Sequence, residues 1–258
     1  MNHSVNFGLT ASDYGKHRAG FPPSLFERLA PYGIGEPGQQ VVDLGTGTGT
    51  LARGFASRGC DVIGIDPAAA MLAEARRLAD AAALTIDFRL GKAEATGLPA
   101  QSADVVSAGQ CWHWFDRPAA AAEVARILRP SGKVVIAHFD WLPLAGNVVA
   151  ATEALIEQYN PAWKLGGGTG LYPQWLRDLG EAGFCGIETF SYDMDVPYSH
   201  EAWRGRIRAS AGVGASLAPD EVQRFDAELA ALLQAMHPEP AMQIPHRISA
   251  VIANPPQR

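Results

Sequence analysis

The chain has 258 residues, 47% of them hydrophobic, and a formal net charge of −6 at pH 7. That composition supplies an apolar core, argues against disorder, and suits one large domain. The negative charge and the lack of any Lys/Arg run argue against binding along a nucleic-acid backbone.

No stretch of about 18 apolar residues is present to span a membrane. The N-terminal MNHSVNFGLTASDYGKH has no apolar signal core, so a cytoplasmic protein is expected. Cys60, Cys111 and Cys185 lie far apart without a C-x-x-C pair. A disulfide framework or a bound metal is therefore not expected.

Residues 1–20 read as an irregular arm, and a helix is expected over 22–32, opened by Pro22-Pro23 with Leu25, Phe26 and Leu29 on one face. A regular alternation follows. Strands are expected at 39–45, 60–66, 84–91, 103–109 and 133–141, with helices at 48–59, 67–82 and 116–130. Short apolar strands alternating with helices argue for a parallel sheet covered on both faces, and crossover handedness makes it doubly wound. The rest is less regular: helices at 146–159, 173–183 and 218–236, a glycine loop at 165–170, and strands at 184–196 and 242–254. The expected fold is α/β, a mostly parallel seven-stranded sheet with an antiparallel edge strand near the C-terminus. The organisation expected is a single domain. An arm and helix occupy 1–38, a cofactor-binding core 39–141, an acceptor-side cover 142–183, and C-terminal strands and helices 184–258.

The strongest local signal is VVDLGTGTGTLA, residues 41–52. A buried strand ends at Asp43-Leu44, glycines stand at 45, 47 and 49, and a helix follows. Glycine lets a ligand approach the backbone, and the helix start offers free N–H groups. The dinucleotide fingerprint G-x-G-x-x-G would need a glycine at position 50, where the chain has Thr50. A carboxylate two residues before the first glycine also suits an ammonium group better than a pyrophosphate. Asp66, at the end of the second strand, faces the crevice of such a sheet and can accept both hydroxyls of a ribose. A nucleoside-type ligand with an amino-acid tail fits this set. Asp43 taken alone is equally a strand-end or capping residue.

These residues, with VIGIDPAAAMLAEA, GKAEATGLPAQSADVVSAGQCWHWFD and LRPSGKVVIAHFD, resemble successive motifs of class I S-adenosylmethionine-dependent methyltransferases. The nearest likeness is to a bacterial small-molecule group with an HWFD-like segment after the fourth strand. The arm YGKHRAGFP is similar to that group's N-terminus, and the resemblance covers residues 14–140.

It implies a Rossmann-like methyltransferase fold, S-adenosyl-L-methionine as cofactor with S-adenosyl-L-homocysteine as product, and a small-molecule acceptor as partner. It implies that Gly45, Thr46, Gly47 and Gly49 wrap the methionine part, with Asp43 near its ammonium. Asp66 would hold the ribose, Pro67 and Met71 would flank the adenine, and Ala93 and Glu94 would line its edge. Gln110 would lie near the sulfur, and Tyr14 and Arg18 would close over the site. Lys92 departs from the family pattern, because relatives carry an acid there that accepts from the adenine amino group.

Methyl transfer needs a nucleophile held in line, and a base only if the acceptor must lose a proton. His113 and Tyr14 are the catalytic candidates, His113 because imidazole titrates near neutrality. Trp112, His113 and Trp114 could wall the cationic sulfur, although aromatics at a strand-to-helix turn usually pack in the core. His138 and Asp140 could also reach the crevice, but packing on the strand face accounts better for His138. Trp163, Tyr172 and Trp175 fit either an acceptor pocket or a lid core. Two other readings remain: a methyltransferase-like regulatory protein that binds the cofactor without turnover, and, ranked lower, an NAD(P)-dependent oxidoreductase.

Overall fold

The computed structural model describes residues 20–257. Seven strands form one mixed sheet flanked by helices, in the order β3-β2-β1-β4-β5-β7-β6. The strands are β1 Gln40–Leu44, β2 Asp61–Asp66, β3 Asp87–Leu90, β4 Ala103–Gly109, β5 Leu128–Trp141, β6 Cys185–Ser199 and β7 Ala241–Asn254. The helices are α1 Pro23–Leu29, α2 Thr50–Ala56, α3 Ala69–Ala81, α4 Arg117–Ile127, α5 Val148–Tyr159, α6 Pro173–Glu181, α7 His200–Arg208 and α8 Pro219–Met236. β1 pairs in parallel with both β2 and β4, and β2/β3 and β4/β5 are parallel too. The chain thus winds outward from β1 to β3 and then restarts on the other side of β1. That reversal opens a crevice beyond the C-terminal ends of β1 and β4, where open α/β sheets bind ligands. β7 is inserted between β5 and β6, so the outermost strand on that side is β6.

Contacts divide the chain into two compact units. The sheet unit comprises 20–139, 171–192 and 248–257 of the described residues. Its core joins Val42 and Leu44 of β1, Val106 of β4, Val134 and Ile136 of β5, and Trp112, Trp175 and Leu179. β1 and β4 are buried along nearly their whole length, as expected of strands covered on both faces. α6 belongs to this unit, packing on α4. The helical unit comprises 140–170 and 193–247. Here α5 and α7 both pack on α8, around Trp203, Ile207, Phe225, Leu229 and Leu233.

Local chemistry explains where elements start and stop. The Asp116 carboxylate accepts from the Ala119 N–H at 3.3 Å and caps α4. α4 ends at Ile127, three residues short of the expected 130. Leu128 is already extended, with ψ 137°, and Pro130 disfavours helical backbone before it. α7 was not expected from the sequence. Ser199 caps it through the Ala202 N–H at 3.1 Å, and Trp203 and Ile207 are its buried residues one turn apart. Three arginines and Gly205 among nine residues hide that apolar spacing.

Candidate active site

The loop after β1 is held by two buried carboxylates. Asp43 is 2% exposed. It accepts from the hydroxyls of Thr46, at 2.6 Å, and Ser107 of β4, at 2.7 Å. Burial pushes its pKa up to about 6, against the lowering effect of these hydrogen bonds and with a small further push from Asp66. Asp66, at the end of β2, is 8% exposed. Its two oxygens accept from the backbone N–H groups of Gly47, at 2.9 Å, and Ala68, at 2.8 Å. Burial also raises the Asp66 pKa, partly offset by these two N–H donors. Among the described residues neither carboxylate has a cationic side chain in ion-pair contact. A carboxylate carries about four acceptor positions, so Asp66 keeps capacity for two further donors.

The glycines of this loop serve different ends. Gly45 has φ +59°, and a Cβ there would meet Cys111 Sγ at 2.8 Å and Phe115 at 3.0 Å. Cys111 in turn donates its thiol hydrogen to the Leu44 carbonyl at 3.1 Å. Gly45 is therefore needed for close packing under the loop. Gly47 has φ +55°, but the nearest atom to its Cβ position is Met71 Cε at 3.9 Å. The space over Gly47 stays open, edged by Met71. Gly49 has φ 79° and begins α2 without a side-chain cap.

The loop, Asp66, Met71 and Ser107 thus meet at the ends of β1, β2 and β4. Pro67 is exposed beside Asp66, and Ala93 is buried past the end of β3. Glu94 accepts from the Asp116 N–H at 2.9 Å, so one of its oxygens serves the start of α4. Lys92 is exposed. Gln110, just past β4, holds φ +61° in the left-handed region and donates its N–H to the Ala137 carbonyl at 2.9 Å. A non-glycine residue there is strained, and such strain gathers at functional sites. Tyr14 and Arg18 lie outside the described residues.

The aromatic segment after β4 divides. Trp112 does not form part of a wall around the ligand. It is fully buried, in the core, with its indole N–H donated to Asp178 at 3.1 Å. Arg117 pairs with the same carboxylate at 3.2 Å, and core packing has claimed the side chain. His113 and Trp114 remain at the surface, with ring centres 4.7 Å apart. The His113 ring centre lies 5.6 Å from that of His138, near the end of β5. His138 Nδ1 is 3.2 Å from the Tyr172 hydroxyl, and Tyr172 stacks on Trp175 at 4.0 Å. Trp163 belongs to the core of the helical unit.

Sequence reasoning missed Ser107 and the Tyr172–His138 contact. Ser107 sits mid-strand among apolar residues, and that lone polar position facing Asp43 in register was the available signal. Nothing in the sequence places Tyr172 near His138.

Comparison with known proteins follows the same lines. Residues 42–136 match the model of the methyltransferase domain family. An uncharacterised methyltransferase of Mycobacterium tuberculosis is 39% identical over 132 residues, 51% of each chain. The malonyl-[acyl-carrier protein] O-methyltransferase of Serratia marcescens is 32% identical over 141 residues, covering 52% of this chain and 54% of that one. The chain spans about half the length of the curated relatives it matches. Among solved structures, a protein of Anaeromyxobacter dehalogenans assigned as a type II methyltransferase superposes with TM-score 0.64 at 23% identity, over 93% of this chain and 99% of that one. A [4+2]-cyclase shares the fold too, with TM-score 0.56 at 20% identity over 94% and 85% of the two chains. The fold alone therefore does not dictate the reaction. Sheet order, glycine loop and family match together define a class I methyltransferase fold. Within that fold, residues 42–136 are the part similar to the methyltransferase domain family.

Proposed function

We propose that this protein transfers a methyl group from S-adenosylmethionine to a small-molecule acceptor. The observation that carries the reading is the pair of buried carboxylates, Asp43 and Asp66, held only by neutral donors beside the open face of Gly47. Such a site favours a ligand that brings its own hydroxyls and cationic groups. The fit extends to the whole set. Asp66 would accept the ribose hydroxyls, Met71 and Pro67 would give the adenine apolar surface, and Ala93 and Glu94 would edge it. Gly45, Thr46, Gly47 and Gly49 would follow the methionine part. Asp43, bonded to Thr46 and Ser107, would shape the loop and present its charge to the ligand's ammonium group. Gln110 would line the reacting end.

The bound cofactor supplies a methyl carbon activated by cationic sulfur. The chain's own task is to align the acceptor and, for a protic acceptor, to take its proton. His113, exposed in the segment after β4, would take that role. Its ring centre is 5.6 Å from that of His138, whose Nδ1 lies 3.2 Å from the Tyr172 hydroxyl. Lys92 leaves the adenine amino group to backbone recognition.

Titration calorimetry with S-adenosylhomocysteine, with NADH in parallel, tests the cofactor assignment. Micromolar binding of the first alone is expected, and binding of NADH alone overturns it. Labelled-methyl transfer to a panel of acceptors then separates turnover from mere cofactor binding.

A further inference from the structure

The loop that follows β3 is fastened to α4 at two places, and both lie within the sheet unit. Ala93 and Leu98 of the loop share one apolar core with Ala120 and Val124 of α4. On one side of this contact, Glu123 of α4 accepts from the Thr96 N–H at 2.9 Å and from the Thr96 hydroxyl. Arg126 pairs with Glu123 at 2.7 Å and donates to the Leu98 carbonyl, also at 2.7 Å. On the other side, Glu94 accepts from the Asp116 N–H at 2.9 Å. Loop and helix are thereby held as one piece.

The second fastening supplies a group that α4 lacks. In a capping box, the residue at the helix cap serves the N–H three positions on, and an acid at that third position reaches back to the N–H of the cap. Asp116 is the cap here, and its carboxylate serves the Ala119 N–H. Ala119 has no carboxylate with which to reach back. Glu94 does so from the loop, 22 residues earlier in the chain, and its negative charge suits the start of a helix. Asp116 also ends the segment that carries His113. That segment makes a tight turn over Trp112–Trp114 and reaches beneath the glycine loop, where the Cys111 thiol donates to the Leu44 carbonyl at 3.1 Å. It is therefore fixed to the glycine loop at one end and, through Glu94, to the loop after β3 at the other.

We propose that Glu94 is a positioning residue that acts through Asp116, coupling the loop at the adenine edge to the segment that carries His113. Cofactor settled against the loop then also steadies the catalytic segment. The coupling rests on the methyltransferase reading above, whereas the tie between Glu94 and Asp116 does not. A carboxamide oxygen can accept the same N–H, so glutamine preserves the tie and alanine removes it.

The test is hydrogen–deuterium exchange read by mass spectrometry on the full chain, as wild type, Glu94→Ala and Glu94→Gln, each without ligand and saturated with S-adenosylhomocysteine. Without ligand, residues 116–119 of Glu94→Ala should exchange about fivefold faster than in the wild type, the effect of one net hydrogen bond. Glu94→Gln should stay close to the wild type. With ligand, exchange should slow at both 45–49 and 116–119 in the wild type and Glu94→Gln, but at 45–49 alone in Glu94→Ala. Glu94→Met, which keeps the length of the side chain without its oxygens, carries the test if Glu94→Ala does not fold. Equal exchange at 116–119 in all the proteins, failure of glutamine to restore it, or ligand-induced slowing there that survives in Glu94→Ala overturns the proposal. So does slowing confined to 45–49 in the wild type. Slowing at neither place in the wild type would sink the cofactor reading and the coupling built on it, while the ligand-free comparison would still judge the tie.

Discussion

Two kinds of carboxylate support stand side by side in this chain. In the sheet unit, Asp43 and Asp66 are buried and, among the described residues, supported by hydroxyls and backbone N–H groups. In the helical unit, the carboxylate of Asp226 is clamped by Arg204 and Arg208. Neutral donors hold a carboxylate in place without cancelling its charge, so the field remains for a cationic ligand. A double arginine clamp cancels the charge and fixes two helices instead.

The largest effect is expected where the loop and its underlying packing meet. Gly45→Ala adds a methyl group 2.8 Å from Cys111 Sγ at φ +59°. Overpacking and left-handed strain together should cost about 3 kcal/mol of folding stability, read by urea denaturation. Gly47→Ala meets nothing nearer than 3.9 Å. It should cost only about 1 kcal/mol of stability, and its methyl group should instead weaken S-adenosylhomocysteine binding. If the two variants lose stability equally, the division between a packing glycine and a ligand-facing glycine fails. Next comes Asp66→Ala, which removes the acceptors for Gly47 and Ala68 and for the incoming hydroxyls. Cofactor affinity should fall by about 2–3 kcal/mol in calorimetry. Unchanged affinity removes Asp66 from the site.

The contributions of Asp43 and Asp226 to stability should depend on pH with opposite signs. The Asp43 pKa is raised from 3.8 to about 6, so the folded state holds this proton more tightly than the unfolded one. Its contribution is fully present below about pH 4 and is lost as pH rises through about 6, at a cost of about 1–3 kcal/mol. For Asp226, burial raises the pKa, but the hydrogen bonds from Arg204 and Arg208 outweigh it and set it below 3.8. That contribution is present above the unfolded pKa and fades as the solution is acidified through the folded one. Asp43→Asn should flatten the decline between pH 4 and 6, and Asp226→Asn should remove stability at neutral pH while reducing acid sensitivity. Guanidinium unfolding from pH 3 to 8 on the three proteins checks both, and parallel curves for wild type and Asp43→Asn would refute the first.

The same contrast explains what the sequence disclosed. Strands β1 to β5 were legible because parallel strands covered on both faces read as apolar runs, and β4 was expected at the residues where it stands. The loop and Asp66 were legible because a ligand that approaches backbone imposes glycine at fixed positions. For Trp112 the sequence left wall and core open, for a physical reason: an aromatic beside a crevice and one turned into the core have the same local sequence, and the deciding partner, Asp178, lies 66 residues away. α7 was hidden by its arginines, whose pairing with Asp226 depends on a helix packed against it.

The smallest expected effect is also the sharpest on what the crevice requires. Gln110 adopts φ +61° between β4 and the His113 segment, and its backbone N–H is tied to Ala137 of β5. Glycine reaches that conformation without a Cβ penalty. Gln110→Gly should therefore stabilise the fold by about 1 kcal/mol, less the flexibility gained by the unfolded chain. If Gln110 were merely a tolerated turn residue, this variant would be more stable and equally active. If its side chain lines the reacting end, methyl transfer should slow while S-adenosylhomocysteine affinity changes little. A gain in stability with a fall in turnover would show strain retained for the sake of a side chain.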